Sequence, residues 1–161
     1  LKKLIDDQIK GYRRKSITQA KKYSELMQSM VNGYLNGQLT NAEVFEEMLK
    51  MAKEMLSENQ KAKALGLSEE EFAFYEALTQ PQAVADYYRE RNDELVAITQ
   101  ELAAKMREMR TVDWQKKQSA RAAMRVAIKR LLKHHKYPPE GMESALVTVM
   151  DQCELWADNA A

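Results

Sequence analysis

DWQKKQSARAAMRVAIKRLLKHHKYPP, residues Asp113 to Pro139, decides how the rest of the chain is read. At about 100° per residue, Ala120, Met124, Ala127, Ile128 and Leu131 fall on one stripe, the pattern of a helix facing a core. Arg121, Arg125, Lys129 and Lys133 step by four along a neighbouring ridge. Asp113 is the natural N-cap, because its carboxylate can accept from the first unpaired amides. Lys133, His134, His135 and Lys136 crowd the last turn, where cations meet the negative end of the helix dipole. Tyr137-Pro138-Pro139 then ends the helix, since the residue before a proline avoids the α region and proline has no N–H.

The same stretch carries the chain's charge asymmetry. Between Asp113 and Glu140 lie eight Lys or Arg and no carboxylate. The whole chain has 25 basic and 24 acidic residues, so everything outside this segment holds 17 against 24. The helix lacks the acidic i to i+4 partners that ordinarily neutralise such a face. Its charge is met either by acidic segments elsewhere, such as Glu69-Glu70-Glu71, or by an outside partner.

Outward from this helix the chain keeps the helical pattern. Five glycines and three prolines in 161 residues leave few of the turns that sheets need. Leu1, Leu4, Ile5 and Ile9 mark a first helix. Ser16 with Gln19, Thr40 with Glu43 and Ser68 with Glu71 have capping-box spacing and open three more. The second runs to about Tyr34 and closes at Asn36-Gly37; the Met-rich third (Met48, Met51, Met55) ends at Gly66. The fourth carries Phe72, Phe74, Tyr75 and Leu78. Pro81 starts a long element reaching Arg110, with Tyr87, Leu95, Ile98 and Leu102 as its apolar positions. After the basic helix, Pro139-Glu140 begins a last one with Leu146, Val149, Met150, Cys153 and Trp156 buried. The expectation is an all-α fold, a single elongated bundle of about seven helices. Residues 1–161 are read as one domain, 1–39 as N-terminal helices and 40–161 as its core, belonging to a longer chain.

The residue inventory speaks against chemistry. The glycines stand apart, so no phosphate loop is present. No acidic residue is followed two places later by lysine, which removes the acidic-x-Lys element of many metal-dependent nucleases. No carboxylate lies three or four residues before His134 or His135, so the Glu-x-x-His pattern is missing and the pair reads as polar residues at a helix end. Cys153 sits on an apolar stripe, reads as a small buried hydrophobe, and as the single cysteine suggests a reducing, cytoplasmic setting. The ten methionines read as core filler. For Trp114 and Trp156 core packing is the first reading and partner anchoring the second, with Tyr137 a further anchor candidate beside Trp114. No catalytic residue and no metal ligand is assigned, no apolar run is long enough to span a bilayer, and the partner- or phosphate-contacting set is Arg121, Arg125, Lys129 and Lys133.

Three pieces carry more than composition. Residues 46–55 read EEMLKMAKEM, residues 67–78 read LSEEEFAFYEAL, and residues 112–139 run from Val-Asp-Trp through the Arg-Val-x-Ile-Lys-Arg segment to Tyr-Pro-Pro. Together, from about Ala42 to Ala157, the chain resembles the C-terminal helical domain of the restriction (motor) subunit of type I restriction-modification enzymes. The family usually has Asp where Glu76 stands, and Leu1–Leu39 rests on helical pattern alone. The resemblance implies a parent subunit with a nuclease and an ATP- and Mg-dependent DNA translocase that cleaves unmodified DNA. With no metal-ligand set, phosphate loop or nuclease element in its sequence, this domain is expected not to be an enzyme itself and to need no cofactor. The resemblance implies docking, with partners in the methyltransferase and specificity subunits and in the other domains of the parent chain; DNA on the basic ridge is the alternative that the residues themselves leave open. Beside this assembly module stand two alternatives, a helical nucleic-acid-binding module and a small helical enzyme gripping an anion. Salt separates the first two, since phosphate binding weakens steeply with ionic strength.

Overall fold

A computed structural model describes residues 1–110 and 114–159, and among them every regular element is helical. There are eight α-helices and two single 3-10 turns among the described residues. No described helix is long and apolar enough to cross a membrane. By packing, the chain divides into two compact units, Leu1–Gly66 and Leu67–Ala161.

The first unit holds α1 (Lys2–Lys15), α2 (Ile17–Leu35) and α3 (Asn41–Ala64), which pack on one another, so the helices on either side of residues 39–40 share one core. Ser16 alone separates α1 from α2. Its backbone is extended (φ −148°, ψ 113°) and its hydroxyl accepts from the Gln19 amide. The expected Thr40/Glu43 box forms in full, each side chain capping the other residue's amide. Gly37 and Gly66 take left-handed backbone (φ +74° and +71°), as the ends of α2 and α3 require. Ile5, Ile9, Tyr12, Tyr23, Met27, Met30, Met48, Met51 and Met55 form the core. Leu1 and Leu4, expected inside, are 40% and 67% exposed, because the buried face of α1 runs through Ile5, Ile9 and Tyr12. Across this core the Tyr23 phenol donates to Glu58 at 2.8 Å, while Lys22 meets the other oxygen of the same carboxylate at 2.8 Å.

The second unit contains α4 (Glu69–Leu78), α5 (Gln82–Tyr87), α6 (Asn92–Met109), a 3-10 turn at Trp114–Lys116, α7 (Gln118–His134), a second turn at Pro139–Gly141 and α8 (Met142–Asn159). Helix α4 packs on α6 and α8, and α7 packs on the same two, which closes a four-helix arrangement. Phe74, Leu78, Leu95, Ile98, Leu102, Met106, Trp114, Met124, Ile128, Leu132, Val149 and Cys153 fill its centre. The Ser68/Glu71 box also forms in full. Leu146 and Trp156 are half-buried on α8, and Ala145 takes the fully buried position. Eight of the ten methionines are buried in the two units, as filler would be.

The long element expected from Pro81 to Arg110 is two helices with a break at residues 88–91. Tyr88 is drawn inward, 2% exposed and stacked on Tyr137 at 6.1 Å, whereas Tyr87 stays 41% exposed. Asn92 then opens α6 by accepting from the Tyr75 hydroxyl at 2.7 Å. This break makes eight α-helices where about seven were expected. The basic helix also starts later than its pattern implies, at Gln118 behind the 3-10 turn of Trp114, with no side-chain cap at Lys117. Asp113, expected as its N-cap, lies outside the described residues.

Candidate functional site

Helix α7 positions every basic residue singled out in the sequence, and its geometry sorts them. A step of four residues turns about 400°, so an i, i+4 ridge drifts about 40° per step around the axis. Arg121, at the start, therefore lies at the edge of the core and forms an ion pair with Glu154 of α8 at 2.7 Å. Arg125, Lys129 and Lys133 have wound progressively outward and are exposed. None of these three has a carboxylate partner among the described residues. The acidic cluster offered as an internal counterweight is committed elsewhere in part: Glu70 pairs with Arg110 at 2.7 Å and Glu71 caps the Ser68 amide at 2.9 Å.

The core stripe is shifted by comparison with the expected one. Met124, Ile128 and Leu132 are fully buried, whereas Ala127 and Leu131 are only half-buried and border an open groove. That groove, about 550 Å³ in volume, runs between α6 and α7. Its floor is Met109, Ala123, Val126, Ala127 and Leu131, and its rim is Glu101, Lys105, Arg130 and His134. Val126 is 53% exposed. Sequence reasoning missed Arg130 as a surface residue, although it and His134 are the i+3 or i+4 neighbours of Val126, Ala127 and Leu131. The signal was a second apolar row beside the core stripe.

The remaining candidates are internal. Trp114 and Tyr137, considered as partner anchors, are 2% and 3% exposed and anchor their own unit's core. The Tyr137 phenol donates to the Leu78 carbonyl at 2.6 Å, which satisfies its polar end inside the unit. His135 faces Glu101 of α6 at 2.5 Å, and His134 lies edge-on to it at the groove rim. Cys153 is wholly buried, and burial pushes its thiol up to about 12. A buried thiol this reluctant to ionise is no nucleophile at neutral pH. Among the described residues no group of three His, Cys, Asp or Glu side chains is placed to hold a metal ion.

This surface belongs to a recognisable kind of chain. The family described as type I restriction enzyme HindI endonuclease subunit-like, C-terminal, matches residues 1–159. The chain is 32% identical over 160 residues to the type I restriction enzyme HindI endonuclease subunit of Haemophilus influenzae (strain Rd), covering 99% of this chain and 15% of that protein. It is 31% identical over 131 residues to the putative type I restriction enzyme MjaIXP endonuclease subunit of Methanocaldococcus jannaschii, covering 81% of this chain and 12% of that one. The match takes in residues 1–39, which helical pattern alone supported. The chain thus spans about an eighth to a seventh of the length of these relatives. No solved structure matches it.

Proposed function

The chain belongs to the family of C-terminal regions of HindI-like type I restriction endonuclease subunits, and from that premise we propose that it is a docking domain. In this reading it holds the nuclease and ATP- and Mg-dependent translocase of the parent subunit against the methyltransferase and specificity subunits. It performs none of the parent's chemistry, and the complex works in the cytoplasm. The observation that carries the reading is the outer face of α7. Arg125, Lys129, Arg130 and Lys133 stand exposed and without carboxylate partners among the described residues, beside the exposed Val126. A mixed basic and apolar patch of this kind has the composition of a protein interface with a polar rim.

The direct test is capture of the methyltransferase and specificity subunits by the purified chain. Retention of the assembled core at moderate salt supports docking; a chain that fails to retain it refutes docking. The nucleic-acid reading draws on the same cations, since Arg125, Lys129 and Lys133 line up one turn apart as a phosphate-tracking row would. Binding of duplex DNA that falls steeply as salt rises, with no capture of the core, selects that reading.

A further inference from the structure

Arg125 and Lys129 lie outside the groove, and the groove has its own logic. Arg130 lies about 140° around the helix from Arg125 and lines the groove. The floor is built from small and aliphatic side chains, with Ala123 and Ala127 flanked by Val126, Leu131 and Met109. These α7 positions recur at three- and four-residue intervals, so the apolar strip runs along the helix axis. Such a strip matches the i, i+4, i+7 anchors of another helix laid alongside, not the alternate-residue contacts of an extended peptide. Among the described residues no Phe, Tyr or Trp lines the groove, which leaves nucleic-acid bases without a stacking platform.

The rim carries one unpartnered cation. Glu101 faces His135, and Lys105 is paired with Glu108 at 4.0 Å, which leaves Arg130. Arg130 has no carboxylate partner among the described residues. We propose that the α6–α7 groove seats an amphipathic helix of a protein partner, its apolar face on Ala123, Val126, Ala127 and Leu131 and its acidic flank against Arg130. The proposal rests on the docking reading and names the surface and the partner chemistry that docking would use.

The probe is a short helical peptide with leucines at i, i+4 and i+7 and glutamates on the flanks, compared with the same peptide carrying lysines there. Titration into the full chain by fluorescence anisotropy should favour the glutamate peptide by at least about tenfold. Val126→Asp and Arg130→Glu should each weaken it by about tenfold or more, while Lys117→Glu, exposed at the start of α7 and outside the groove lining, changes it by about twofold or less. Both groove positions are exposed, and a melt of each variant establishes that it is folded. Equal affinity for the two peptides, no binding of either, or undiminished binding by both groove variants overturns the proposal. So does a DNA duplex that displaces the peptide, which would assign the groove to nucleic acid. If the methyltransferase and specificity subunits are captured equally well by wild type and Arg130→Glu, the groove assignment fails and docking stands. If wild type captures nothing, docking fails and the peptide titration alone judges the groove.

Discussion

The phenol of Tyr137 donates a 2.6 Å hydrogen bond to the carbonyl of Leu78, tying the end of the basic helix to the end of α4 across 59 residues. Both residues are buried, Leu78 completely. The bond closes the four-helix unit at one corner, where Tyr88 also stacks on Tyr137. Replacing Tyr137 with Phe keeps the ring and strands a buried carbonyl, which should cost about 1–2 kcal/mol. A urea titration should show a lower midpoint with an unchanged slope. An unmoved midpoint would mean that the bond adds no net stability.

Lys136 holds a left-handed backbone (φ +57°) as α7 ends. Its amide reaches the Lys133 carbonyl at 3.0 Å, and the Tyr137 amide reaches that of Leu132 at 2.9 Å, the paired bonds of a Schellman cap. A side chain is disfavoured there and glycine is not, so Lys136→Gly should stabilise the protein by up to about 1 kcal/mol. A thermal melt checks the sign; a lower melting temperature would show that the lysine side chain outweighs its backbone strain.

Arg121 and the outer ridge should respond differently to truncation. Arg125→Ala with Lys129→Ala removes exposed, unpaired charges and should leave stability within about 0.5 kcal/mol. Arg121→Ala breaks the ion pair with the partly buried Glu154 and should cost about 1 kcal/mol. Binding of the docking partner should weaken in the double variant, less so as salt rises. A large loss of stability in the double variant with unchanged binding would make the ridge structural.

Alkaline pH should loosen both units. Burial, reinforced by the hydrogen bond to Glu58, raises the Tyr23 phenol well above its ordinary value of 10.0. Burial likewise raises Tyr137 and Tyr75, and pushes Tyr88 up to about 12. Each folded state therefore holds its proton longer than the unfolded chain does. The stability is complete below pH 10 and declines as pH rises through the ordinary phenol value toward the folded one. Absorbance at about 295 nm should show these tyrosines ionising later in the native protein than in urea. Coincident native and unfolded titrations would contradict their burial.

The helices were largely legible in the sequence because their signals are local. The Thr40/Glu43 and Ser68/Glu71 boxes, the left-handed Gly37 and Gly66 and the proline stop after α7 each act within about four residues. The core stripes of α3 and α4 were equally readable, since Met48, Met51 and Met55, and Phe72, Phe74, Tyr75 and Leu78, all lie buried. The surface was legible only in part. A ridge of four cations reads as uniform along a sequence, yet the drift of the i+4 row brings Arg121 to Glu154, 33 residues away in the chain, and carries Lys133 outward.

By itself, then, the sequence determined the all-α class, most helix ends and the concentration of positive charge on α7, because capping, proline geometry and helical periodicity act between near neighbours. Tertiary structure alone decided the break before α6, the inward turn of Tyr137 and the groove lined by Arg130. Tyr88 stacks on Tyr137, 49 residues onward, and Tyr75 donates to Asn92, the first residue of α6. The groove lies where α6 packs on α7: Met106, Met124 and Ile128 are buried, and the next row stays uncovered. Packing between helices distant in sequence chooses which apolar row is buried, and no local propensity carries that information.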